Sequence, residues 1–204
     1  MVETIGILMA GGDGTRLGPL TKNISKHLLP VYDKPMIYYS LSTLMLSGIK
    51  KILIVGKNKD IESYENLFSN GSDYGMEIKY VLQKEPKGIA EAFILSKKFL
   101  KNKNVCLILG DNFFYGNGLS LKLRKIKKNN RGATVIGFKV QNPSDYGVLK
   151  IKNNKITNIV EKPKKYISSY AITGLYFYDS NVLDYAKKLK PSRRGEIGRR
   201  RVGK

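Results

Sequence analysis

The chain has 204 residues, 42% of them hydrophobic, and its formal net charge at pH 7 is +21. This length suits one large α/β domain with a sizeable core, and the lack of an apolar run of about 18 residues excludes a membrane-spanning helix. The single cysteine, Cys106, excludes an internal disulfide and a cysteine-based zinc site, and the single histidine, His27, excludes a histidine metal cluster and a nucleophile triad.

The high positive charge raises the question of nucleic-acid binding. The lysines are spread through segments such as Lys97-Lys98 and Lys125–Lys128, which is typical of solvated helix faces, and no basic motif interleaved with aromatic residues is present. We therefore expect no nucleic-acid partner, since charge alone indicates non-specific binding. The first residues also lack the basic segment of a signal peptide, so we expect a cytoplasmic protein with no membrane partner.

The first half of the chain alternates between strand and helix patterns. Apolar, β-branched runs predict strands at Thr4–Ala10, Lys51–Val55 and Val105–Leu109, and alternation of polar and apolar residues predicts one at Glu77–Leu82. Apolar residues at helical spacing predict helices at Pro35–Leu46, from an Asp60 N-cap to Phe68, and at Gly88–Leu100 with Phe99 turned inward. This alternation favours right-handed crossovers and a mostly parallel sheet, and ligands of such sheets bind outside the carboxyl ends of the strands.

After about residue 130 the pattern changes to short strands separated by turns. The predicted strands are Ala133–Val140, Tyr146–Ile151, Lys155–Glu161 and Thr173–Tyr178. A last helix is predicted at Asn181–Leu189, with Asp179 or Ser180 as its cap.

A glycine-rich loop, Gly11–Arg16, directly follows the first predicted strand. Glycines allow successive backbone N–H groups to converge on an anion, and Arg16 adds a charged fork that suits phosphate oxygens. The loop lacks the third glycine of a dinucleotide fingerprint, because Leu17 stands there, and it lacks the Gly-Lys of a P-loop. The alternative is a tight strand-to-helix turn with an exposed arginine.

Two further segments are expected to lie near this loop. Lys26 follows it by ten residues and could add a compact positive charge for a diphosphate leaving group, although alone it would be read as a surface lysine. His27 is expected to be packed or solvated and not catalytic. The turn Gly110–Asn112 follows another strand of the parallel set, so it and the Gly11–Arg16 loop could face one cleft.

At this point the chain resembles the sugar-phosphate nucleotidylyltransferases. The resemblance rests first on Ala10–Leu17, Ser25-Lys26, Leu28–Pro30 and Asp33–Tyr39. Longer matches are Leu41–Leu46, Leu109–Asn112, Tyr146–Val148, Glu161–Pro163 and Tyr170–Asp179. They are similar to the members of the family that transfer a thymidylyl group from dTTP to glucose 1-phosphate.

The resemblance implies that an oxygen of glucose 1-phosphate attacks the α-phosphorus of dTTP, giving dTDP-glucose and pyrophosphate for nucleotide-sugar synthesis of the dTDP-rhamnose type. Such a displacement needs in-line positioning and charge neutralisation more than a base. By the same resemblance Arg16, Lys26 and Lys162 are catalytic, and Asp111 holds Mg²⁺ together with phosphate oxygens and waters.

The resemblance also implies two sets of binding residues. The nucleotide set is Gly11, Gly12, Gly14, Thr15, Gln83 and Gly88. The sugar-phosphate set is Tyr146, Gly147, Glu161, Lys162 and Arg194. Lys87 stands where the family usually has an acidic residue, which leaves the choice between dTTP and UTP open. Read without the family, Gln83 is a polar strand end and Gly88 a helix start.

The fold implied is α/β: a Rossmann-like, mostly parallel mixed sheet flanked by helices, of the nucleotide-diphospho-sugar transferase type. Residues 1–196 would form the core, with the nucleotide part at about 1–130 and the sugar-phosphate part at about 131–196, and residues 197–204 would be an atypical basic tail. Members of the family usually form homo-oligomers.

Family members also continue past this point with a Trp-Leu-Asp-Thr-Gly motif whose aspartate completes the magnesium site. This sequence has no tryptophan, so we expect a fold that is incomplete at its C-terminus. A truncated or frameshifted reading frame would explain the basic tail, as would a short natural variant or a partner chain that completes the site. A non-catalytic remnant that binds nucleotide or sugar phosphate is the alternative to an active enzyme.

Overall fold

A central eight-stranded sheet organises the computed structural model, which describes residues 2–85, 87–153 and 155–189. The strands are β1 Thr4–Ala10, β2 Pro30–Val31, β3 Lys34–Pro35, β4 Lys51–Gly56, β5 Glu77–Leu82, β6 Asn104–Leu109, β7 Ala133–Lys139, β8 Gly147–Lys152, β9 Lys155–Glu161 and β10 Tyr170–Tyr178. The helices are α1 Ile37–Leu46, α2 Asn58–Phe68, α3 Ile89–Leu95, α4 Lys97–Leu100, α5 Leu119–Asn129 and α6 Val182–Lys188. Strands β2 and β3 pair only with each other.

The sheet has a parallel half and an antiparallel half. Its order is β5-β4-β1-β6-β10-β8-β9, and β7 also pairs with β10. The pairs β4–β5, β1–β4 and β1–β6 are parallel, whereas β10 runs antiparallel to β6, β7 and β8, and β8 to β9. The predicted fold class, a Rossmann-like mixed sheet flanked by helices, is confirmed.

The three inner parallel strands, β1, β4 and β6, read as nearly continuous apolar runs because helices cover both faces of the sheet, whereas the edge strand β5 alternates between exposed and buried residues. On β1, Leu8 packs on one face against residues of α1, α2 and α5, while Ile7 packs on the other against residues of α3 and α6. Both side chains are fully buried, and each contributes roughly 1.5–3 kcal/mol of apolar burial. No helix in the three described ranges is long and apolar enough to cross a membrane.

Two predicted helix starts are wrong. Helix α1 begins at Ile37 because Pro35 belongs to the small β2–β3 pair. Helix α2 begins at Asn58, and Asp60 lies in its first turn, buried, instead of capping it. Loss of water around Asp60 raises the pKa of its carboxyl group, and the neighbouring lysines only partly oppose this.

The predicted helix at 88–100 is two helices, α3 and α4, which meet at Ser96. The Ser96 hydroxyl is buried and has no hydrogen-bond partner among the described residues. Phe99 does not turn fully inward: the ammonium groups of Lys79 and Lys98 lie 5.6 and 4.8 Å from its ring centroid. The break nevertheless keeps α4 on the core face that α3 buries, because Leu100 is 1% exposed and Phe99 packs, partly buried, against the same cluster.

The antiparallel half differs from prediction mainly at its ends. Strand β10 begins at Tyr170, three residues before the predicted start, because Tyr170–Ile172 pairs with β7. At the start of α6 the Asp179 carboxylate accepts a hydrogen bond from the Asn181 backbone N–H at 3.0 Å. The same carboxylate accepts from the Gly132 N–H at 3.0 Å, which ties α6 to the turn before β7.

Candidate active site

The glycine-rich loop leaves the sheet at the carboxyl end of β1 and packs tightly against two other segments. Gly14 has φ of +62°, and a Cβ there would lie 2.9 Å from Lys26 Cβ. A Cβ at Gly11 would lie 2.2 Å from Gln83 Oε1. The Thr21 hydroxyl donates to the Gly14 carbonyl oxygen at 2.9 Å. Close packing therefore requires glycine at these two positions.

After Gly14 the loop forms a single 3-10 turn, Thr15–Leu17. Thr15 and Arg16 are both exposed on this turn. Arg16 has no ion-pair partner among residues 2–85, 87–153 and 155–189, so its guanidinium group is available to an anion.

Lys26 joins this loop to the loop after β6. Its Nζ atom donates to Asp111 Oδ2 at 2.5 Å, and the two side chains are 19% and 34% exposed. Lys26 also runs alongside the glycine-rich loop Gly11–Arg16, which is called the phosphate loop below after its predicted role. A Cβ at Gly12 would lie 3.3 Å from Lys26 Cε. Burial by itself would raise the pKa of Asp111, but Lys26 and Asn112 lower it by more, so the carboxyl group is ionised at neutral pH.

Asn112 holds the Asp111 carboxylate in place. Its Nδ2 donates to Asp111 Oδ1 at 2.9 Å, and its Oδ1 accepts from the Gly174 N–H at 2.8 Å. The buried Ser40 hydroxyl lies 3.2 Å from the Leu109 carbonyl oxygen and 3.1 Å from that of Asn112. The sequence indicated Asn112 only as part of the turn Gly110–Asn112. It gave no sign of the contacts of Ser40 and Gly174, because both residues are far from this turn in the sequence.

Asp13, inside the phosphate loop, forms an ion pair with Lys57. Lys57 precedes α2 and is only 16% exposed, whereas the Asp13 side chain is 53% exposed. A carboxylate would oppose the anion binding predicted for this loop, and Lys57 offsets that charge. No sequence motif indicated Lys57.

Gln83 and Gly88 lie on the loop between β5 and α3. Gln83 is 1% exposed, and its Nε2 donates to Glu91 Oε2 at 2.7 Å while Oε1 faces Gly11. The backbone N–H of Lys87 donates to the same Glu91 oxygen at 2.9 Å. Gly88 has φ of +98° and directly precedes α3. In this arrangement Gln83 packs against the glycine-rich loop, and its role in nucleotide binding remains a prediction.

The predicted sugar-phosphate residues lie together at one end of the β8–β9 pair. Gly147 and Glu161 are opposite each other, and a Cβ at Gly147 would lie 3.0 Å from Glu161 Oε2. The Lys162 N–H donates to the Tyr146 carbonyl oxygen at 2.9 Å, and both side chains are exposed. Arg194 lies outside the described residues.

The strand register places these residues, called the sugar-phosphate cluster below, beside the nucleotide cluster formed by the glycine-rich loop, Lys26 and Asp111. Leu175 of β10 pairs with Ile108 near the carboxyl end of β6, and Ala171 of β10 pairs with Val148 of β8. The Asn112–Gly174 hydrogen bond spans the same junction. Glu161 and Lys162 therefore lie beyond the carboxyl edge of β6, on the side of Asp111.

His27 is 2% exposed and packs beneath both loops, as expected of a packed side chain. Burial lowers the pKa of its imidazole to about 4; Lys26 lowers it further, and Asp111 opposes the shift. Its ring occupies the space in which a Cβ at Gly110 would lie, 2.6 Å from His27 Cδ2. His27 is therefore neutral at neutral pH and fills the gap between Lys26 and the β6 loop.

The acidic groups fit Mg²⁺ only with help from the substrates. Among the described residues no group of three or more histidine, cysteine, aspartate or glutamate side chains could hold a metal ion. Mg²⁺ in phosphate-transfer sites is commonly bound by one or two carboxylates plus phosphate oxygens and waters. The ionised, oriented carboxylate of Asp111 fits that donor set.

Comparisons with known proteins agree with this geometry. Residues 5–199 match the family model described as nucleotidyl transferase. The chain is 50% identical to the glucose-1-phosphate thymidylyltransferase of Neisseria meningitidis serogroup A over 193 residues, which are 94% of this chain and 67% of that protein. It is 49% identical to the enzyme of the same name from Xanthomonas campestris pv. campestris over 198 residues, 97% of this chain and 67% of that one.

Solved structures show the same fold. A Bacillus anthracis protein described as a glucose-1-phosphate thymidylyltransferase, in complex with sucrose, superposes with a TM-score of 0.88 at 40% identity and covers 96% of this chain and 79% of its own. A UDP-glucose pyrophosphorylase in complex with UDP-glucose gives a TM-score of 0.78 at 25% identity, with 97% and 83% covered. The chain spans about two thirds of the length of the curated relatives it matches. On these matches and this fold, the chain belongs to the nucleotidyl transferase family and is a homologue of the glucose-1-phosphate thymidylyltransferases.

Proposed function

We propose that the chain transfers a thymidylyl group from dTTP to glucose 1-phosphate, giving dTDP-glucose and pyrophosphate in the cytoplasm. The observation that carries the proposal is the Lys26–Asp111 contact, which joins the phosphate loop to a carboxylate that fits Mg²⁺. The nucleotide would occupy the part formed by residues at about 1–130, and the sugar phosphate the part at about 131–196. The homologues of the same name support the choice of substrates.

In the reaction a phosphate oxygen of glucose 1-phosphate forms a bond to the α-phosphorus of dTTP. The bond from that phosphorus to the β-phosphate oxygen breaks, and the electron pair leaves with pyrophosphate. The attacking phosphate is already ionised near neutral pH, so no protein base is needed. This accounts for a site whose single histidine is buried, neutral and packed.

The nucleotide half of the site neutralises charge on the leaving group. Backbone N–H groups of Gly11, Gly12, Gly14 and Thr15 would hold the phosphates, and Arg16 and Lys26 would balance the charge that develops on pyrophosphate. Asp111 would hold Mg²⁺, which supplies further charge neutralisation on the phosphates when bound. Lys26 would exchange its contact with Asp111 for a phosphate oxygen.

The sugar half would orient the nucleophile. Lys162 would bind the attacking phosphate and Glu161 would accept hydrogen bonds from sugar hydroxyls. The Tyr146 side chain would lie over the sugar, because it is exposed next to Gly147. Arg194 is proposed, from the resemblance alone, as a second cation for the sugar phosphate.

The test is pyrophosphate release from dTTP and glucose 1-phosphate with Mg²⁺ present. Asp111→Asn and Arg16→Ala should each lower kcat/KM by about 100-fold, the scale of losing one preorganised electrostatic contact to the transition state. Arg131→Ala removes an exposed arginine away from both clusters and should have no effect. Binding of dTTP without release of pyrophosphate would instead indicate the non-catalytic alternative, and unchanged rates in both site variants would refute the mechanism.

A further inference from the structure

Three buried polar side chains outside the predicted site form a hydrogen-bonded chain beneath it. Ser25, His27 and Tyr64 are 6%, 2% and 0% exposed. Ser25 Oγ lies 3.1 Å from His27 Nδ1 and 2.8 Å from the Tyr64 hydroxyl, which in turn contacts the Ala10 carbonyl oxygen at 3.1 Å. Tyr64 reaches this position from α2, on a different element from the other groups.

All three contacts of this hydrogen-bond network are satisfied at once only when its protons point in one direction. A carbonyl oxygen accepts, so the Tyr64 hydroxyl donates its single proton to Ala10. Ser25 must then donate to Tyr64, and with its proton used it must accept from His27 Nδ1–H. This count of protons assigns the Nδ1–H tautomer to His27, and it lets the hydroxyl groups of Ser25 and Tyr64 each donate one hydrogen bond.

The two ends of this hydrogen-bond network, Ala10 and His27, lie at the two halves of the nucleotide site. Ala10 is the last residue of β1, immediately before the phosphate loop. His27 fills the space beside Gly110, immediately before Asp111. Lys26 lies between Ser25 and His27, so both of its flanking residues are held in place by the hydrogen-bond network. Buried hydrogen bonds of this kind are strong and leave few alternative arrangements.

We propose that Tyr64 is a positioning residue: through Ser25 and His27 its hydroxyl fixes Lys26 relative to the phosphate loop. This rests on the proposed function, in which Lys26 balances charge on the leaving pyrophosphate. Tyr64 does not touch the substrates, so it acts on the rate through Lys26. Misplacement of a charged group from such a distance lowers the rate of the chemical step more than it weakens binding of the sugar.

The variant that tests the proposal is Tyr64→Phe, which keeps the ring and removes the hydroxyl. The matched control is Tyr80→Phe. The Tyr80 hydroxyl likewise contacts backbone carbonyl oxygens, at 2.7 Å from that of Ser69 and 3.2 Å from that of Tyr64, but it has no hydrogen bond to Ser25. We expect kcat to fall about tenfold in Tyr64→Phe, with KM for glucose 1-phosphate unchanged, and both values to be unchanged in Tyr80→Phe.

A merely structural role would not reproduce two further results. Ser25→Ala breaks the same hydrogen-bond network. The double variant Tyr64→Phe/Ser25→Ala should therefore have a kcat only slightly below that of the more impaired single variant, because the two residues act as one unit. The single histidine also gives one unambiguous set of ¹⁵N imidazole signals. They should show the Nδ1–H tautomer in the unaltered chain, and Tyr64→Phe should populate the Nε2–H tautomer because Ser25 is then free to donate to Nδ1.

Equal kcat values for Tyr64→Phe and Tyr80→Phe, additive effects of Tyr64→Phe and Ser25→Ala, or an Nε2–H tautomer in the unaltered chain would each overturn the inference. If the unaltered chain releases no pyrophosphate, the proposed function itself has failed. The inference is then decided by the tautomer and by calorimetric affinity for dTTP, which Tyr64→Phe should lower and Tyr80→Phe should not.

Discussion

Burial of the single histidine predicts a specific loss of stability in mild acid. His27 has an ordinary pKa of 6.5 when unfolded and about 4 in the folded chain, because burial disfavours the imidazolium ion. The folded-state pKa is the lower one, so the unfolded chain binds the proton more readily as pH falls below 6.5. Stability from this residue is therefore complete above pH 6.5 and is lost progressively down to about pH 4.

The size of the effect follows from the two pKa values. A difference of about 2.5 between them corresponds to roughly 3 kcal/mol when the transition is complete, and to about 2 kcal/mol at pH 5. Domains of this kind are stable by only about 5–15 kcal/mol, so the loss is readily measured. Lys26 acts in the same direction as burial, and Asp111 reduces the effect.

The assay is urea unfolding at pH 7.5 and pH 5, without divalent ions or nucleotide, for the unaltered chain and for His27→Gln. Glutamine retains an amide that can donate to Ser25 but has no proton to gain in this range. Other titrating groups that do not interact with His27, such as Asp60, are common to both proteins and cancel in the comparison. The unaltered chain should lose about 2 kcal/mol more than the variant on going to pH 5. Parallel losses in the two proteins would refute the assignment of a buried, neutral histidine.

Three further predictions concern packing and charge around the site. Gly110→Ala places a methyl group against His27 and the Met9 carbonyl oxygen, so it should destabilise the chain by about 1–3 kcal/mol; an unchanged urea midpoint would contradict the close approach. Lys57→Ala leaves the Asp13 charge unopposed in the phosphate loop and should raise KM for dTTP about threefold, within the range for exposed ion pairs. Adding Asp13→Ser should restore KM, whereas Lys59→Ala, on the exposed face of α2, should leave it unchanged. Lys127→Met removes the 2.7 Å hydrogen bond to the Gly48 carbonyl oxygen at the end of α1, and should lower stability by about 1 kcal/mol with kcat unaffected; a changed kcat would mean that α5 influences the site.

The parts of the fold that sequence predicted well are those whose pattern has one physical cause. Strands β1, β4, β5 and β6 have the predicted bounds to within one residue. Burial on both faces gives β1, β4 and β6 apolar runs with clear ends, and β5 shows a regular alternation of exposed and buried residues. Helix boundaries were predicted less well. The break at Ser96 and the start of α2 before Asp60 depend on which side chains the sheet buries, and local capping preferences do not contain that information.

The candidate site shows the same division. Arg16, Lys26 and Asp111 were found because each stands in a short motif, and the structure brings Lys26 and Asp111 into contact. Lys57 and Ser40 belong to no motif. Their partners lie 44 and 69 or more residues away in the sequence, and only the sheet topology brings them together. The hydrogen-bond network through Tyr64 was missed for the same reason, because Ser25 and Tyr64 are 39 residues apart in the sequence.

The charges around the glycine-rich loop are compatible with the polyanion binding proposed for it, although the loop contains an acid. Asp13 is paired with Lys57, and Asp111 with Lys26, so the two carboxylates nearest the phosphate loop are already compensated in this structure. Arg16 and Lys162 are exposed and have no ion-pair partner in the described ranges. They stand at the nucleotide cluster and the sugar-phosphate cluster respectively. Each cluster therefore holds an exposed cation without an ion-pair partner in the described ranges, which is the arrangement that two anionic substrates would require if they are to approach each other in one cleft.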